Sequence, residues 1–94
     1  MTRIRIEQLV WDNWNIKHIK KHNVSVSETE EGIINVTAHK QGYNKRIMLI
    51  GRSGKRILAI LVKAKLGQYY IVTARDAGKK ERKLLYEKEK RQNT

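Results

Sequence analysis

The chain contains no cysteine, which removes disulfides, thiolate nucleophiles and thiolate metal sites together and fits a reducing compartment. It is also short of acid, with 9 Asp and Glu against 21 Lys and Arg and a formal charge of +12. An imbalance of that size exceeds what solubility requires, so a polyanionic partner is the direct reading and a merely basic, solvated surface the bland one. No apolar run is long enough to cross a bilayer. The opening Met1-Thr2-Arg3-Ile4-Arg5 alternates charge with isoleucine, the pattern of neither a signal peptide nor a membrane span, and a cytoplasmic location is expected. Proline is absent, and no repeat or linker divides the chain. Residues 1–94 therefore read as a single domain, able to fold without metal or disulfide but too small for an elaborate buried cleft.

What is present is a change of period along the chain. Residues 3–10 alternate, with Ile4 and Ile6 between Arg3, Arg5 and Glu7, and suggest an edge strand. Asp12 is a good N-cap for a helix over 13–22, with Trp11 and Ile16 spaced as a hydrophobic staple. The helical period puts Asn15, Ile16, Ile19, His22 and Asn23 on one stripe and Trp14, His18 and Lys21 on the other side, so His22 is expected to lean toward the core. Ser25 with Glu28, or Ser27 with Glu30, has capping-box spacing for a second helix over 26–34, whose end Gly32 should weaken.

Strands follow over 35–40, 46–52, 57–65 and 69–75, joined by links short enough to make neighbours antiparallel. The run Ile57-Leu58-Ala59-Ile60-Leu61-Val62 is apolar on both faces and reads as a central strand, whereas the segment at Asn35 is polar enough for an edge. A last helix is expected over 78–91. The fold class is α+β: a twisted antiparallel sheet of about five strands flanked by helices, in the order β-α-α-β-β-β-β-α.

Several side chains stand out against that scaffold. On the last helix Glu81 shares a face with Ala77, Leu84 and Leu85, and a carboxylate held against a core either gains a cationic partner or has its pKa raised. Arg75, ending the preceding strand, is the nearest partner, and the pair either carries a function or only pins helix to sheet. Strand alternation puts Arg75 on the face of Ile71 and Thr73, and Arg52 on the face of Met48 and Ile50. Arginines at strand ends suit bidentate contact with phosphate, although Arg52 beside Ser53-Gly54 could equally be a solvated hairpin charge. His18 and His22 are one turn apart, but flanking lysines and the missing zincin glutamate argue against a metal site. Trp14 beside Lys17, His18 and Lys21 could stack a base of single-stranded nucleic acid or pack against a partner.

Read together, Trp11-Asp12, Asn15, Lys21-His22, Val24, Ile50-Gly51-Arg52-Ser53, Thr73-Ala74-Arg75-Asp76-Ala77 and Glu81-Arg82 with Tyr86 resemble the BrnT family of bacterial toxins, over nearly the whole chain and in order. Where that family commonly has glycine after the Lys-His pair, this chain has Asn23, which tolerates a left-handed backbone. The resemblance implies a RelE-like ribonuclease fold and a toxin that cuts RNA without metal or cofactor. It also implies neutralisation by a small DNA-binding antitoxin of the ribbon-helix-helix type. On that reading Glu81 or His22 moves the proton, Arg52, Arg75 and Arg82 bind the scissile phosphate, and Lys21 and Trp14 help hold the RNA. The competing reading is a non-catalytic module of the same fold that binds nucleic acid or an antitoxin.

Overall fold

The computed structural model describes residues 3–92. Local sequence signals account for the helix boundaries. Helix α1 (Asn13–Lys21) starts at Asp12, which accepts from the Asn15 N–H while the Asn15 amide oxygen accepts from the Asp12 N–H. Asn15 is fully buried and spends its remaining donor on the Val10 carbonyl, so one side chain ties the first strand to the first helix. Helix α2 (Val26–Ile34) starts at Ser25 with the reciprocal Glu28 bond, which selects the first of the two candidate capping boxes. Between the helices Asn23 has φ 61°, the left-handed turn that its side chain tolerates.

The strands are β1 (Leu9–Val10), β2 (Val36–Gln41), β3 (Arg46–Ser53), β4 (Arg56–Lys65) and β5 (Gln68–Asp76), followed by helix α3 (Lys79–Gln92). They form one sheet in the order β1-β5-β4-β3-β2. The apolar run does lie in the central strand, β4, and the polar segment after Asn35 is an edge. The expected first strand over 3–10 is largely replaced: a 3-10 turn occupies Ile6–Gln8, leaving two strand residues. That remnant pairs parallel to β5, Leu9 opposite Tyr69 and Val10 opposite Tyr70, so the sheet is mixed and not purely antiparallel. Two helices and three strands lie between β1 and β5 in the chain, and a long connection of this kind is what permits a parallel pairing.

The two sheet faces carry different cores. The first, beneath α1 and α2, holds Ile19, Ile33, Leu49, Leu58, Ile60, Val62 and Ile71, all with no exposed surface. Burying each such side chain stabilises the fold by roughly 1.5–3 kcal/mol. The second core is small: Ala38, Ile50 and Leu85, with Met48 and Ile57 beside them. Helix α3 packs there against β2 and β3 through Leu85, its one buried residue.

A register shift in β5 corrects one expectation about the faces. Thr73 pairs with Leu61 but Ile71 pairs with Val62, so Val72 is an extra residue. Arg75 and Thr73 consequently lie on the second face while Ile71 points into the first-face core. Strict alternation would have put all three together. Helix α2 continues through Gly32 to Ile34, the expected end. Gly32 is buried, a methyl added there would meet the Ile60 side chain at 3.0 Å, and its carbonyl lies directly over Gly51 of β3. Two glycines thus let α2 sit close on the sheet.

Candidate functional site

The second face carries two arginine–carboxylate pairs. At the end of β5, Arg75 donates Nη1 to Glu81 Oε1 and Nη2 to Glu81 Oε2, each at 2.8 Å. Glu81 Oε1 also accepts from the Gly78 N–H at 2.7 Å, so the carboxylate caps the first turn of α3 as well as bridging to the sheet. Arg75 holds the Glu81 carboxyl below its ordinary range, with smaller help from the Gly78 amide and from Lys40, and against the opposing effect of burial. The carboxylate stays ionised at neutral pH. It could accept a proton but is a poor donor.

Arg52 repeats the arrangement farther along α3. Its Nε donates to Glu89 Oε2 at 2.7 Å and its Nη2 to Glu89 Oε1 at 2.9 Å, and its guanidinium carbon stands 5.9 Å from the Tyr86 ring centroid. The alternative of a solvated hairpin charge is therefore set aside. Glu89 was not singled out in the sequence, although its spacing of two helical turns from Glu81 puts both on one face of α3.

Around the Arg75–Glu81 pair the uncovered part of the second face opens into a groove. A cavity of about 490 Å³ is lined by Lys40, Met48, Ile50, Gly78, Lys79, Lys80, Glu81 and Leu84. A neighbouring one of about 560 Å³ shares Lys40 and Met48 with it and extends past Tyr43 and Leu61. The floor is apolar strand surface and the rim is cationic. Such a groove can track a phosphodiester backbone and offer Tyr43, 90% exposed, to a base.

The other expected site residues lie elsewhere. His22 does not lean toward the core: it is the exposed C-terminal cap of α1, on the first-face side of the sheet. Its ring meets His18 edge to face at 5.4 Å, and His18 stacks on Trp14 at 4.8 Å and 8°. The two imidazoles expected on different stripes therefore share one column, because the cap residue leaves the helical path. No hydrogen bond, ion pair or ring contact among the described residues joins His22 to Glu81 or Arg75. Trp14, 57% exposed, stands with Lys17 and Lys21 on that same helix, while Arg82 is exposed on α3.

Sequence reasoning also missed Arg56, which donates to Asp76 Oδ1 (3.0 Å), the Asn23 carbonyl (2.8 Å) and Glu28 Oε2 (2.9 Å). It locks α1, α2 and the β4–β5 pair at one end of the sheet. The usable signal was its position two residues before Leu58, which fixes its face.

These clamps set an acid limit on the fold. Glu28, Glu81 and Glu89 each titrate below the ordinary carboxylate range, Glu28 mainly through the Ser25 amide and the other two mainly through their arginines. A depressed folded-state pKa contributes stability above the unfolded value, lost as pH falls through the folded one. Melting temperature should thus hold from neutral pH to about pH 5 and fall below about pH 4. A Glu28→Gln, Glu81→Gln, Glu89→Gln triple variant followed over the same range should show a shallower fall.

Among the described residues, no helix is long and apolar enough to cross a membrane. Comparison of the chain with protein-family models, with curated proteins and with solved structures found no match.

Proposed function

We propose that the chain is a BrnT-like, metal-independent endoribonuclease toxin that works through the second-face groove. The observation that carries this reading is the position of an ionised carboxylate, Glu81, on a bidentate arginine within a cationic groove. Cutting RNA without a metal requires a base for the 2′-hydroxyl proton and fixed positive charge for the phosphate. Glu81 would take the proton as the 2′ oxygen attacks phosphorus. Arg75 and Lys40 would stabilise the added negative charge, and the 5′ oxygen would leave with a proton drawn from water, giving a 2′,3′-cyclic phosphate and a 5′-hydroxyl end. His22 has no part in this scheme, because it caps a helix on the other side of the sheet. A cytoplasmic toxin of this kind would be held silent by an acidic surface of a DNA-binding antitoxin.

One observation favours the second reading, a module that binds RNA without cutting it: both arginines, 52 and 75, already hold a carboxylate of α3 through two nitrogens each. The two readings separate in one experiment. Purified protein incubated with a defined RNA in chelator should yield fragments with cyclic-phosphate ends. Salt-dependent binding with intact RNA would select the binding module, and neither binding nor cleavage would remove both.

A further inference from the structure

Helix α3 is held to the sheet in an unusual way. Only Leu85 is buried, while Leu84 and Tyr86 remain 36% and 51% exposed. Its polar ties to the sheet include a pair of arginine forks, Arg75 on Glu81 and Arg52 on Glu89, with Tyr86 beside the Arg52 guanidinium. These forks are what a planar anion recognises, and each is presently filled by a carboxylate of the same chain.

The spacing of the two clamps is matched on both sides. Glu81 and Glu89 are eight residues apart, about 12 Å along a helix. Arg52 lies opposite Ile57 and Arg75 opposite Ala59, so the arginines flank β4 two residues out of register, again about 12 Å apart on a sheet. Helix α3 therefore lies diagonally across the strands with an anion at each crossing. The groove rimmed by Lys40, Lys79 and Lys80 reaches Glu81, the carboxylate on the Arg75 fork, and the Arg52 fork lies farther along α3.

We infer that α3 is a displaceable lid, whose Glu81 and Glu89 occupy two phosphate subsites on Arg75 and Arg52 until a polynucleotide backbone exchanges for them. This rests on the groove being the RNA site. It also deepens the chemistry proposed there. While Arg75 holds Glu81 the carboxylate is a weak base, and transfer of the fork to a phosphate returns Glu81 toward ordinary basicity at the moment the substrate arrives. It further resolves the apparent conflict between engaged arginines and a phosphate-binding role.

The test uses a fluorescent 2′-O-methyl oligouridine, which presents the phosphate backbone but offers no 2′-hydroxyl to the reaction. Glu89→Gln removes one competing carboxylate, and Glu87→Gln, at an exposed position on the same helix, makes the same charge change without touching a clamp. The lid requires Glu89→Gln to bind about fivefold or more tighter than Glu87→Gln, the size of a modest coupling between sites. It also requires α3 amides of the parent protein to lose hydrogen-exchange protection at saturating oligonucleotide while α1 and α2 keep theirs. Equal affinities of the two variants, or unchanged or stronger α3 protection, would overturn the lid and leave the groove reading standing. Failure of the oligonucleotide to bind parent and variants alike would overturn both.

Discussion

Gly51→Ala should destabilise the fold by about 3 kcal/mol, the upper end of overpacking costs, because the new methyl has no route of relief. An added Cβ would fall inside the Gly32 carbonyl and close on the Asn35 backbone as well. Neither neighbour is a flexible side-chain end. Relief requires α2 to lift from β3, and α2 carries Ile33, a member of the first-face core. For a domain of this size the loss corresponds to a fall in melting temperature of roughly 12–24 °C. A thermal melt checks it, and a variant melting within a few degrees of the parent would mean that α2 rides higher on the sheet than described.

Glu81→Gln carries the largest expected effect on activity. The amide keeps the shape of the side chain and can still accept from Gly78 and Arg75, but it cannot take a proton from a 2′-hydroxyl. RNA cleavage should fall by on the order of a hundredfold to ten-thousandfold, the span typical of a lost general base. Arg75→Ala should cost about a hundredfold or more, as loss of one preorganised donor does. Binding of a 2′-O-methyl oligonucleotide should survive in Glu81→Gln, which separates a chemical role from a structural one. Single-turnover cleavage alongside that binding measurement is the check. A Glu81→Gln enzyme that cuts at the parental rate removes the carboxylate from the chemistry.

Much of the fold was legible because it is written in local chemistry. Asp12 and Ser25 announce their helices through side-chain oxygens that reach the N3 amides. The doubly apolar run at Ile57 could only be a central strand. The errors have long-range or irregular causes. The strand expected over 3–10 gave way to a 3-10 turn, since the alternation of Arg3, Ile4, Arg5 and Ile6 says nothing about where the chain must turn to reach β5. The bulge at Val72 switched the face of Ile71 because one inserted residue reverses a period of two.

The site divides in the same manner. The Arg75–Glu81 pair was readable because six residues separate its members across a single turn from strand to helix. Glu89 on Arg52 and Glu28 on Arg56 join residues 37 and 28 apart, which no local pattern indicates. His22 was misplaced because the helical wheel was carried one residue too far. At the C-terminal cap the backbone leaves the helix, and the ring turned to His18 rather than to the core.

RNA is expected to enter the groove beside Arg75 and Glu81 on the second sheet face. Backbone amide chemical shifts recorded through a titration with 2′-O-methyl oligouridine test this. The expected result is saturable perturbation at Lys40, Met48 and residues 78–81, with little change at Trp14, His18 and Lys21 on α1. Perturbation centred on the α1 column, with the groove silent, would contradict the account and move the nucleic-acid interface to the opposite face of the protein.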